Sequence, residues 1–116
     1  MAAKMGDSPG PTPGLLPDPD VMAEHAETAA AVLRALGNRN RLMILCVLVN
    51  GEISVGEINR TVPLSQSALS QHLARLRQEG LVATRREAQT IYYRIQDPAI
   101  MELMATLYGL YCKPES

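Results

Sequence analysis

Met22, Ala26, Ala29, Leu33 and Leu36 recur at the three- and four-residue spacing of one helix face, so a first helix is predicted from about Asp18 to Gly37. Asp18 caps it with Pro19 in the first helical position, or Asp20 caps it one turn later; Gly37 suits the stop. A second helix follows, capped by Asn38 or Asn40, with Leu42, Leu45, Leu48 and Val49 on its inner face and Asn50-Gly51 at its end. In ISVGEI (53–58), Ser54 and Glu57 have the spacing of a capping box, and Ile53 and Ile58 stand where a hydrophobic staple clamps the entry. This third helix is short, because Thr61-Val62-Pro63 stops it. The device then repeats. Ser65 caps, Leu64 and Leu69 form the staple, and Leu69, Leu73 and Leu76 point inward until Gly80.

After Gly80 the period changes from helical to alternating. LVATRRE and TIYYRI read as two strands around a turn near Glu87-Ala88-Gln89, with Ile91, Tyr93 and Ile95 on one face and Tyr92 and Arg94 on the other. A last helix starts at Asp97-Pro98 and carries a broad apolar face of Ile100, Met101, Met104, Leu107, Tyr108 and Tyr111. Two short helices joined by a tight turn, followed by a hairpin, make a winged helix-turn-helix, mainly α with a small β-hairpin. It occupies residues 20–113. Residues 1–19, with five Pro and three Gly, are expected to form a disordered arm.

The composition of SQSALSQHLARLRQ (65–78) asks for a reason. Glu, Lys and Ala form helices better than Ser and Gln, yet the small polar residues stand at the front with almost no charge among them. A recognition helix meets base edges with its N-terminal residues, and base edges call for short side chains that both donate and accept hydrogen bonds. Gln66, Ser67, Ser70 and Gln71 leave the helix opposite the leucine stripe, and His72 lies at the edge of that face. Arg75, Arg77, Arg85 and Arg86 suit phosphates, which fix position without reading sequence. The plainer reading is a solvated helix decorated with Ser and Gln.

Charge adds direction to this picture. The net charge is only −1, but residues 1–30 carry −4 and residues 60–94 carry +4, a local basic zone suited to an anionic partner. The 116 residues suffice for one small domain whose core, lacking Trp and Phe, is aliphatic; pairing with a second copy would bury more apolar surface. No apolar run reaches the length of a membrane span, the N-terminus lacks a hydrophobic signal core, and two cysteines in such a chain are expected to be reduced in the cytoplasm. No phosphate-binding glycine loop, metal motif or Ser/His/Asp arrangement is present, so an enzyme is not expected.

ALGNRNRLMIL (35–45), SVGEI (54–58), LSQSALSQHLARLRQEGLV (64–82) and IYYRI (91–95) resemble the ArsR-type winged-helix repressors over about Asp20 to Lys113. The resemblance implies a homodimer built from the first and last helices, binding an imperfect inverted repeat in double-stranded DNA. A metal-sensing repressor is an alternative that these residues do not favour. The third helix has no C-x-C pair, no histidine follows His72, and Cys46, Cys112, His25 and His72 are scattered, so no metal site and no cofactor are implied. The contexts of Cys46 (LMILCVLVN) and Cys112 (YGLYCK) are instead similar to the sulfide-responsive, persulfide-sensing, HlyU-like subgroup. That similarity implies reactive sulfur species as inducer, linking Cys46 to Cys112 and releasing the operator. Taken alone, the residues also allow a core Cys46 with an incidental terminal thiol, an activator that displaces another protein from DNA, or a winged helix that binds only protein.

Overall fold

A computed structural model describes residues 18–112. The expected arm lies outside them except for Asp18 and Pro19, which begin the first helix, α1 (Pro19–Leu36). Asp18 Oδ1 accepts the Asp20 N–H at 2.8 Å, so the cap is Asp18 with Pro19 in the first turn. Contacts divide the chain after Ala31, inside α1, and the unit from Val32 onward carries the fold described below.

In that unit, α1 ends with Ala35 and Leu36 buried and Leu33 60% exposed. The inward line therefore runs through Ala35 and Leu36, and Leu33, expected on one stripe with Leu36, points elsewhere. Asn38 caps α2 (Arg39–Leu48), its Oδ1 accepting from the Asn40 and Arg41 N–H groups at 3.0 and 3.1 Å. Arg41 then reaches back to the end of α1, donating from Nε to the Ala35 carbonyl at 2.6 Å and from Nη2 to the Arg34 carbonyl at 3.3 Å. It thus satisfies carbonyls that a helix C-terminus leaves without partners.

Ser54 caps α3 (Val55–Thr61) through the Glu57 N–H at 3.2 Å. Glu57 itself turns to Arg60 rather than back to the cap, so only half of the expected box forms. Ser65 caps α4 (Gln66–Gln78) through the Ala68 N–H at 3.1 Å. Ile44, Leu45 and Leu48 of α2, Ile58 of α3 and Leu69, Leu73 and Leu76 of α4 are essentially inaccessible to solvent and form one aliphatic core. Each such side chain contributes about 1.5–3 kcal/mol of burial free energy.

The expected hairpin has a third strand. β1 (Ile53–Ser54) pairs antiparallel with β3 (Thr90–Ile95), which also pairs with β2 (Val82–Glu87), giving the order β1-β3-β2. Ile53 stands opposite Tyr93 and Glu87 opposite Thr90, leaving Ala88-Gln89 as a two-residue loop. The wing is thereby tied to the segment that enters α3. Asp97 caps α5 (Pro98–Leu107) through the Ala99 N–H at 2.9 Å, and Ile100 and Met104 enter the core. The helix then widens into a π-helical turn, Tyr108–Cys112, where Tyr108, Leu110 and Tyr111 are exposed. No described helix is long and apolar enough to cross a membrane.

Candidate functional site

The leucine stripe of α4 faces the core, so the opposite side of the helix is open. Gln66, Ser67, Ser70 and Gln71 are exposed on it, and His72 is half-buried at its margin. Arg77 is exposed and makes no ion pair among the described residues; Arg75 donates from Nε to Glu79 Oε2 at 3.1 Å one turn later. A groove of about 790 Å³ runs beside α4, between α3 and β3, with Arg60, Gln66, Ser70 and Arg77 among its lining residues. Asn59 also lines it. Its Oδ1 is buried without a hydrogen-bond partner among the described residues, a feature the sequence does not signal.

The wing arginines differ from one another. Arg86 is exposed and, among the described residues, free of ion pairs. Arg85 is held by Glu52, donating from Nη2 to Oε1 at 2.8 Å and from Nε to Oε2 at 3.1 Å. Its guanidinium also lies 3.4 Å from Glu87 Oε1 and 4.5 Å from the centre of the Tyr92 ring. Hydrogen bonding to Arg85 holds the Glu52 carboxyl below its ordinary value, and the Glu52 carboxylate holds the Arg85 guanidinium above its own. Sequence reasoning placed Arg85 with the phosphate contacts; the structure gives its charge an internal partner.

The second constellation is sulfur. Cys46 on α2 is half-buried, Cys112 at the end of the π-helical turn is exposed, and their Sγ atoms are 4.0 Å apart although 66 residues separate them. Burial pushes the Cys46 thiol up, and the neighbouring Cys112 thiol adds to the shift. Both thiols open into a cavity of about 410 Å³ walled by Leu42, Met43, Met104 and Leu107, with Arg39 and Tyr111 also on its wall. Any link between the sulfurs joins α2 to the end of α5. The histidines stand elsewhere, His25 on α1 and His72 on α4.

Comparison with known proteins identifies the family. Residues 38–84, from the cap of α2 into β2, match the model of the "Bacterial regulatory protein, arsR family". The chain is 47% identical over 92 residues to the transcriptional activator HlyU of Vibrio cholerae, covering 79% of this chain and 85% of that one. It is 41% identical over 102 residues to the biofilm growth-associated repressor of Agrobacterium fabrum, covering 88% and 86% of the two chains. The solved structure of reduced HlyU from Vibrio cholerae superposes with a TM-score of 0.78 at 46% identity, over 80% of this chain and 98% of that one. With its caps, its exposed Ser/Gln helix front and its basic wing accounted for on a matching fold, the chain belongs to the arsR family of bacterial regulatory proteins.

Proposed function

We propose that this DNA-binding transcriptional regulator is a cytoplasmic homodimeric repressor that holds an inverted-repeat operator while reduced and releases it when Cys46 and Cys112 are joined by reactive sulfur. The observation that carries the reading is the 4.0 Å approach of the two thiols across α2 and the π-helical turn. A direct disulfide requires the sulfurs to close to about 2.05 Å, whereas two such bonds, bent at one intervening sulfur, hold the outer sulfurs about 3.3 Å apart. From 4.0 Å the sulfurs have less far to move for a bridge that retains sulfane sulfur than for a direct disulfide. Two protein thiols and an organic trisulfide R–S–S–S–R yield a protein link with one extra sulfur and two R–SH, with no other oxidant needed.

In this reading Gln66, Ser67, Ser70, Gln71 and His72 face base edges, and Arg75, Arg77 and Arg86 face phosphates. Arg85 joins them only after leaving Glu52. The exposed Leu33, Tyr108, Leu110 and Tyr111, on the first helix and at the end of the last, support dimerisation through those helices. Two-fold symmetry sets the recognition helices about 34–36 Å apart, one turn of DNA. A link that draws the end of α5 toward α2 shifts that spacing in both subunits at once, and affinity falls. One relative is named an activator and another a repressor, so displacement of a silencing protein from DNA is a second reading of the same surface.

The test is intact mass of the protein after polysulfide and after peroxide, with operator binding measured on both samples. A gain of whole sulfur atoms with loss of two hydrogens and loss of binding is expected. Full polysulfide response by Cys46→Ser would refute the paired-thiol mechanism.

A further inference from the structure

The cavity beside the thiol pair is walled by four sulfur side chains, Met43, Cys46, Met104 and Cys112, from α2, α5 and the π-helical turn. Among the described residues no three His, Cys, Asp or Glu side chains gather as a metal site. Thioethers are a further kind of ligand, one that takes soft ions only. With metal–thiolate bonds of about 2.3 Å, two sulfurs on a linear ion stand about 4.6 Å apart and on a trigonal ion about 4.0 Å apart. The Cys46–Cys112 separation is 4.0 Å, the trigonal value. From this geometry we infer that Cys46, Cys112 and a thioether from Met43 or Met104 bind one soft monovalent d10 cation, of the cuprous type, per subunit.

The surroundings select this class of ion. Met43 precedes Cys46 by three positions on α2, so the two side chains share a helix face. Met104 is fully buried on the facing wall. Among the described residues no carboxylate or imidazole lines the cavity, and four-coordinate zinc lacks its remaining ligands there. Two thiolates around a monovalent ion leave one negative charge, and Arg39 on the same wall supplies the opposite charge. Binding is a ligand exchange without electron transfer: each thiol loses its proton to water as its sulfur takes the metal, and the ion gives up its previous ligands.

The site does not depend on the sulfur-oxidation reading, and the two are separable. The reduced full-length protein is titrated anaerobically with Cu(I) against a chromogenic Cu(I) chelator, with native mass as the second readout. One ion per subunit, with loss of two thiol protons, is expected. Cys46→Ser and Cys112→Ser should each weaken binding at least about tenfold. The double variant Met43→Leu/Met104→Leu conserves core volume. It should also weaken cuprous binding about tenfold or more while still taking up sulfur from polysulfide. Unchanged cuprous affinity in that double variant, or in either serine variant, overturns the three-sulfur site.

Discussion

Glu52 grips Arg85 with both carboxylate oxygens, across 33 positions of sequence, and so ties the wing to the residue that precedes β1. The guanidinium most central to the basic hairpin is thereby neutralised before any phosphate arrives. DNA binding must either leave Arg85 in place as a strut for the wing or exchange Glu52 for a phosphate. The pair is exposed and water-screened, so giving it up costs little.

Glu52→Gln tests which of these holds. It removes the carboxylate and keeps a hydrogen-bond acceptor, so Arg85 becomes free for the duplex. Operator affinity at low salt should rise, and the slope of log affinity against log salt should steepen by about 0.9, one further phosphate contact. A steeper slope means that Glu52 keeps Arg85 as a strut in the unmodified complex; higher affinity at an unchanged slope means that the exchange already takes place there.

Cys46 gives a pH dependence. Burial favours its protonated form, so this contribution to folding is full below the pKa of an unfolded thiol and is lost as pH rises through the higher folded value. The same shift keeps Cys46 a thiol near neutrality, while its attack on sulfur needs the thiolate. The rate of polysulfide linkage should therefore keep rising with pH through and beyond the ordinary thiol range, as followed by intact mass over time. A rate that levels off at neutral pH contradicts rate-setting attack by the Cys46 thiolate.

Ser65 and Gln71 separate folding from reading. Ser65→Ala removes the acceptor for the Ala68 N–H and should cost about 1 kcal/mol of stability, with operator preference retained by the protein that stays folded. Gln71→Ala, on the exposed side of α4, should leave unfolding within about 0.5 kcal/mol. Its cost should appear as about 1–3 kcal/mol of lost discrimination between operator and altered duplex. Denaturant unfolding and competition binding on the same samples check both. A Gln71→Ala protein with intact discrimination removes that residue from the reading face.

What was legible in the chain was local. Ser54, Ser65 and Asp97 were readable as caps because a cap is decided within three residues, Asp18 and Asn38 only as one of two candidates beside Asp20 and Asn40, and all five accept backbone N–H groups. The stripe Leu69/Leu73/Leu76 was readable because one period governs it, and all three are buried. β1 was not, since two residues carry no period and Ile53-Ser54 is a strand only because β3 lies beside it. The Arg41 clamp on α1 and the Glu52–Arg85 pair depend on where helices and wing come to rest, which no short window records. The thiol pair was suggested by resemblance alone; the π-helical turn that brings Cys112 beside Cys46 has no sequence signal we can name.

The wing turn holds the last test. Ala88, first of the two loop residues, has φ 56°, the one positive φ at a non-glycine residue among those described. A two-residue hairpin loop with positive φ at its first position only is the turn that favours glycine there. Alanine in that conformation is strained by about 1–2 kcal/mol, while glycine adds about 0.5–1 kcal/mol of chain entropy to the unfolded state. The strain is the larger quantity. Ala88→Gly should therefore stabilise the protein by about 0.5–1 kcal/mol, the difference between the two, seen as a higher denaturant midpoint with an unchanged slope. Ala88→Val, whose branched side chain tolerates positive φ least, should destabilise it. If valine is accommodated as well as glycine, the loop is not held in this conformation and the wing's register is not set by its turn.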